Sequence, residues 1–343
     1  MNEKYPFNTL ISKYRISAMG ISMVSIMLYH QNWITNGIFF EWVRMLGYIG
    51  VEVFLFISGF GIAHSLAKNS LGQYYKNRVI RLIPACILFG LCKIALSYIP
   101  TMPPMQDFFL DLFSLSHWYI YAIVIYYLLA PVIYKIIDKR GGGFAFLAII
   151  IATYITICFW QYEADAPYLI KYGRWVVKRF PVFVFGMFIA IRSLRFGIYK
   201  VVLLGVLATL ANVGVFHYTI LANSDPTSHD FFTKLAILLP DRSVIPDNGR
   251  FILDMFNVLL LIPLFALIAF LMKKSHILFI INRIGKYSLE IYLCHQYIFT
   301  VISEHFAMPP MAALAVGMCL SFAVAYLIGT TASSIKTCAT RYI

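Results

Sequence analysis

Ile16-Ser17-Ala18-Met19-Gly20-Ile21-Ser22-Met23-Val24-Ser25-Ile26-Met27-Leu28-Tyr29 carries no charge and closes on His30. A run of this length and character reads as the first of a series of membrane-spanning helices. An imidazole near the end of such a helix is poorly solvated and asks for a partner or a function. The next apolar run, Gly47–Ala63, contains one ionisable group, Glu52. A histidine and a carboxylate brought together inside a bilayer can move a proton.

The rest of the chain agrees with that beginning. Of its 343 residues, 61% are hydrophobic and 13% charged, with a mean hydropathy of +0.78. A soluble domain cannot hide that much apolar surface, so the expectation is an all-α, polytopic membrane helix bundle. About ten transmembrane helices are expected, near 14–34, 44–66, 79–99, 117–136, 143–161, 177–193, 199–221, 251–272, 284–303 and 309–333. They form a single membrane domain over 1–343, with a long outer loop near 221–250 and no soluble extracytoplasmic domain. The first run follows Asn2, Glu3 and Lys4 and lacks a small-residue cleavage site, so it reads as retained.

The net charge of +13 would suit nucleic acid, but its distribution argues against it. With an inner N-terminus, the short inner loops and both tails hold about 19 of the 28 Lys and Arg, while most acids fall outside. The excess is a topology signal placing both termini in the cytoplasm, and no nucleic-acid partner is expected. The six cysteines, Cys86, Cys92, Cys158, Cys294, Cys319 and Cys338, lack metal-ligand spacing and read as buried, inert thiols. No metal is expected.

Depth along the helices selects the groups that can meet. His30 lies about 24 Å along the first helix from Tyr14, and Glu52 roughly 12 Å below the outer surface on the second. The two can therefore be level, as a general base and its orienting carboxylate or as a structural pair tying two helices together. Arg78 and Arg81 are three residues apart at the inner mouth of the third span. Their forked guanidiniums suit phosphate oxygens, and they equally suit orientation and lipid headgroups. In the ninth span Glu290 and His295 are expected to face the bundle interior, His295 as a substrate contact or a packing residue. Arg15, at the inner end of the first helix, is placed to meet a phosphate or Glu290. Arg174, Lys178 and Arg179 cluster on the outer side, suited to an anionic acceptor or to lipid headgroups.

In this order the motifs resemble the bacterial integral-membrane acyltransferase family 3. The matching pieces are Arg15 and His30, then Gly50-Val51-Glu52-Val53-Phe54 with Ser58-Gly59-Phe60, then Arg78, Arg81 and Pro84. His117-Trp118-Tyr119, Arg179-Phe180-Pro181 with Gly186, and Gly285, Ser288, Tyr292-Leu293 and His295 complete the set. The Arg-to-His spacing on the first helix is longer than the family's, whose arginine would fall on Met19. The resemblance implies an O-acyltransferase of the bacterial inner membrane with acyl-CoA, most commonly acetyl-CoA, as co-substrate and no tightly bound cofactor. It implies phosphates held by Arg78, Arg81 and Arg15, and His30 acting as general base with Glu52. The acceptor hydroxyl would belong to a cell-envelope glycan or lipid-linked sugar, contacted by His295, Glu290 and Arg179. The competing readings are a proton-coupled secondary transporter, which would use the same His and Glu as a relay, and a non-catalytic scaffold.

Overall fold

The computed structural model describes residues 7–30, 47, 50–97, 112–113, 117–159, 168–192, 203, 206–207 and 276–342, and among these it is helical without strands. The helices are α1 (Phe7–His30), α2 (Gly50–Lys68), α3 (Leu71–Ser97), α4 (Trp118–Asp138), α5 (Gly142–Phe159), α6 (Tyr168–Arg192), α7 (His276–Lys286), α8 (Ser288–His305) and α9 (Pro310–Tyr342). Among the described residues, three stretches are long and apolar enough to cross a membrane: Gly50–Lys68, Trp118–Asp138 and Pro310–Ile335. The expected spans near 199–221 and 251–272 and the loop near 221–250 lie outside the described residues. Phe56, Phe183, Tyr126, Leu55 and Ile62 are among the large side chains buried in the core. Leu128, Val132, Phe144 and Leu327 point outward, a surface suited to lipid rather than water.

Several boundaries differ from expectation: α1 and α6 begin seven and nine residues early, α9 runs nine residues past its expected end, and two further differences bear on the candidate site. Helix α3 begins about two turns earlier than the apolar run. Ser70 accepts a bond from the backbone N–H of Gln73 at 3.3 Å, and Asn69 turns back to the Ser65 carbonyl at 2.9 Å. This capped turn places Arg78 and Arg81 inside the helix rather than at its start. The span expected at 284–303 is broken at Tyr287, where α7 ends and α8 begins. Cys92 and Cys319 are exposed on the bundle rather than buried, while Cys86 and Cys294 are buried.

Prolines inside helices leave carbonyls that the bundle satisfies. Pro131 in α4 has no N–H for the carbonyl of Tyr127, four residues earlier. The Tyr74 hydroxyl of α3 donates to that carbonyl at 2.9 Å, and its neighbour Tyr75 donates to the Leu128 carbonyl at 3.2 Å. In α6 the Tyr126 hydroxyl donates to the Val176 carbonyl at 2.5 Å, a further tie between helices that is one residue away from the carbonyl Pro181 frees, that of Val177. Without water in the hydrocarbon, such tyrosines keep a broken ladder tolerable.

Glycine contacts set the register of the helices around the site. A Cβ on Gly59 would run into the Phe183 carbonyl, and one on Gly186 into the Phe56 carbonyl. Each glycine meets the carbonyl three residues before the other, and Glu52 and Arg179 pair seven residues before both, so α2 and α6 run parallel with their backbones touching, as small residues permit. Gly47 seats on the Ser25 carbonyl and Gly50 on the Ser22 carbonyl, an antiparallel register between α1 and α2. We expect Gly186→Leu to force the α2–α6 crossing apart and lower stability by about 3 kcal/mol or more. Thermal unfolding of the detergent-solubilised protein checks this, and an unchanged midpoint would contradict the close crossing.

Candidate active site

The α2–α6 register carries an ion pair. Glu52 and Arg179 lie seven residues before Gly59 and Gly186 on the two parallel helices, so they stand level, about 10 Å from the crossing. Arg179 donates from Nε to Glu52 Oε1 at 2.8 Å, with Glu52 0% and Arg179 4% exposed. The guanidinium lies over Trp118 at 4.5 Å and near Trp175 at 5.7 Å from the ring centroids. Charge neutralisation and aromatic faces are what a cation needs when water is absent. Arg179 is therefore an interior residue, not a cation displayed to an anionic acceptor on the outer surface. The second carboxylate oxygen, Oε2, is buried and has no hydrogen-bond partner among the described residues.

Glu52 consequently does not serve His30. Two residues beyond Gly50, which seats on Ser22, Glu52 stands level with Gly20, ten residues before His30 and about 15 Å lower along α1. Helix ends taken from hydropathy bring the two groups level. The contacting glycines fix a different register.

The group that does reach His30 comes from α8. His30 Nδ1 and His295 Nε2 are 3.2 Å apart, with ring centroids at 5.1 Å in an edge-on arrangement. His295 is 0% exposed. Its Nδ1 faces the carbonyls of Ile291 at 3.1 Å and Tyr292 at 2.9 Å. Both ring nitrogens of His295 are thus turned to protein groups rather than toward a substrate. Tyr292 and Phe299 pack around its ring. His30 Nδ1 also faces the Ile26 carbonyl at 3.0 Å.

A basic cluster gathers at the opposite end of α1. Arg78 donates to Ser65 Oγ at 3.4 Å and lies 5.7 Å from the rings of both Tyr74 and Tyr127, and its Nε is buried without a hydrogen-bond partner among the described residues. Arg15 and Lys68 lie within electrostatic range of His64 on α2, so charges from three helices converge there. Arg81 departs from the expected phosphate role in part. It donates from Nη1 to Glu290 Oε1 at 2.7 Å, with its side chain 49% exposed and Glu290 buried. Glu290 is thereby committed to Arg81 rather than to Arg15 or to an acceptor, while the remaining guanidinium donors of Arg81 stay available.

Glu52→Ala should leave Arg179 charged and buried, costing about 3–5 kcal/mol of stability. Adding Arg179→Leu should recover much of that loss. A double-mutant cycle on thermal unfolding in detergent measures the coupling, and additive losses would mean that the two side chains do not interact.

The model of the family described as an acyltransferase domain, acyltransferase family 3, matches residues 18–330. The matched stretch includes His30, Glu52, Arg78, Arg81, Arg179, Glu290 and His295, while Arg15 lies just before it. No curated protein and no solved structure gives a significant match. With the family match spanning nearly the whole chain and apolar helices long enough to cross a bilayer, the protein belongs to acyltransferase family 3 and is a membrane acyltransferase.

Proposed function

We propose that the protein moves an acyl group, acetyl in the first instance, from cytoplasmic acyl-CoA to a hydroxyl of a cell-surface or lipid-linked glycan. It sits in the bacterial inner membrane as a multi-pass bundle of about ten helices with both termini in the cytoplasm. The observation that carries this reading is the distance built into α1. Arg15 and His30 stand fifteen residues apart, about 22 Å along one helix, with the basic cluster at one end and a held imidazole at the other. An extended phosphopantetheine arm bridges a gap of that size. Arg78, Arg15 and the exposed part of Arg81 bind the CoA phosphates, and the thioester comes to rest beside His30.

The chemistry then needs one base. His30 takes the proton from the acceptor hydroxyl as its oxygen attacks the thioester carbonyl. The carbon–sulfur bond breaks, the sulfur leaves as thiolate, and the proton on His30 passes to it, giving CoA–SH and the ester. Glu52 supports this geometry indirectly, by neutralising Arg179 and holding α2 against α6. The family match favours transfer over transport as the use of the intramembrane His and Glu.

A strain lacking the protein should lose the acetyl mass from one envelope glycan. Wild-type protein should restore it, and His30→Ala, present in the membrane at the same level, should not. Mass spectrometry of the released glycans reads the outcome; restoration by His30→Ala would remove the general base from the account.

A further inference from the structure

We infer that His295 is a positioning residue that fixes the tautomer of His30, leaving the lone pair of the base on Nε2. This rests on the general-base reading of His30 and assigns its partner. Nδ1 of His295 faces two backbone carbonyls, Ile291 O at 3.1 Å and Tyr292 O at 2.9 Å. A carbonyl only accepts, so Nδ1 carries the proton. In a neutral imidazole the other nitrogen, Nε2, then holds a lone pair. That lone pair faces His30 Nδ1 at 3.2 Å.

His30 obeys the same rule. His30 Nδ1 has the Ile26 carbonyl at 3.0 Å and the His295 lone pair at 3.2 Å. Both are acceptors, so Nδ1 of His30 carries the proton and shares it between them. Nε2 of His30 is left with the lone pair, the state that a base needs before it attacks a hydroxyl proton. When Nε2 gains that proton, the ring becomes an imidazolium. Its Nδ1–H still points at the His295 lone pair, which accepts a charge-assisted bond.

A neutral imidazole has an advantage over a carboxylate in this place. It orients the base without leaving a second buried charge when His30 is neutral. The fully buried His295 ring, packed by Tyr292 and Phe299, cannot easily swing away from its task. Sequence spacing could not show this, because His30 and His295 lie at opposite ends of the chain and α8 starts only after the break at Tyr287.

The test reads the tautomer directly. In full-length protein labelled with 15N-histidine and placed in lipid nanodiscs, the His30 signals are assigned by their loss in His30→Gln. We expect wild-type His30 to show a protonated Nδ1 and a bare Nε2. His295→Leu should mix the two tautomers, while His295→Gln, whose side-chain oxygen supplies an acceptor near the same place, should keep Nδ1 protonated. With labelled acetyl-CoA and membrane vesicles from complemented strains, His295→Leu should lower kcat by about 100-fold and leave KM for acetyl-CoA within about twofold. His295→Gln should regain about tenfold of that loss.

A wild-type His30 protonated on Nε2, or a tautomer unmoved by His295→Leu, would overturn the assignment. So would equal activities of the Leu and Gln variants. If His295→Leu does not accumulate, His295→Gln alone decides, because loss of Nδ1 protonation there contradicts the role. Full activity of His295→Leu beside an inactive His30→Ala removes only His295. An active His30→Ala removes the base itself.

Discussion

The parallel crossing of α2 and α6 is the constraint on which the site depends. Two backbones touch at Gly59 and Gly186, and the same register sets Glu52 against Arg179. In water such a pair would contribute little, but in a bilayer interior either partner alone would be an unpaired charge with nowhere to go. Small residues bring the helices close enough for the charges to meet, and the charges forbid the helices from sliding past one another. Helix α1 then packs on α2 at Gly50 and Gly47, which places His30 well above the ion pair. The separation leaves Glu52 to Arg179 and sets His30 against His295.

The polar groups therefore divide into two kinds. Glu52 and Glu290 each hold an arginine, Arg179 and Arg81, and so lock α2 to α6 and α3 to α8. The histidines of α1 and α8 meet at 3.2 Å without a carboxylate between them. The charged pairs hold helices together, and in the proposed reaction the ring pair handles the proton. Arg81 belongs partly to each kind, since its pairing with Glu290 occupies one face while half of the side chain remains exposed.

Much of this was legible in the chain. Uncharged runs located the helices α1, α2, α4, α5 and α9, and the positions of His30, Glu52, Arg78, Arg81, Glu290 and His295 followed from isolated polar residues in apolar surroundings. Partners were not legible, because depth taken from hydropathy is uncertain by several residues and a helix turn is enough to change which side chains meet. The better signal was spacing to glycine. Glu52 precedes Gly59 and Arg179 precedes Gly186 by the same seven residues, a match that pairs the two helices in register. The split between α7 and α8 was hidden because a span starting at Ile284 takes in Tyr287 within its first turn. The polar residues after Ser70 masked the early start of α3.

The most direct measurement is a cryo-EM structure of the full chain in a lipid nanodisc with a ketone analogue of acetyl-CoA, carbon replacing the thioester sulfur. The account predicts the CoA phosphates at Arg78 and the ketone carbon on the Nε2 side of His30, about 4–5 Å from that nitrogen, leaving room for a hydroxyl between them. A ketone lying more than about 10 Å from His30, or seated against the Glu52–Arg179 pair, would contradict it.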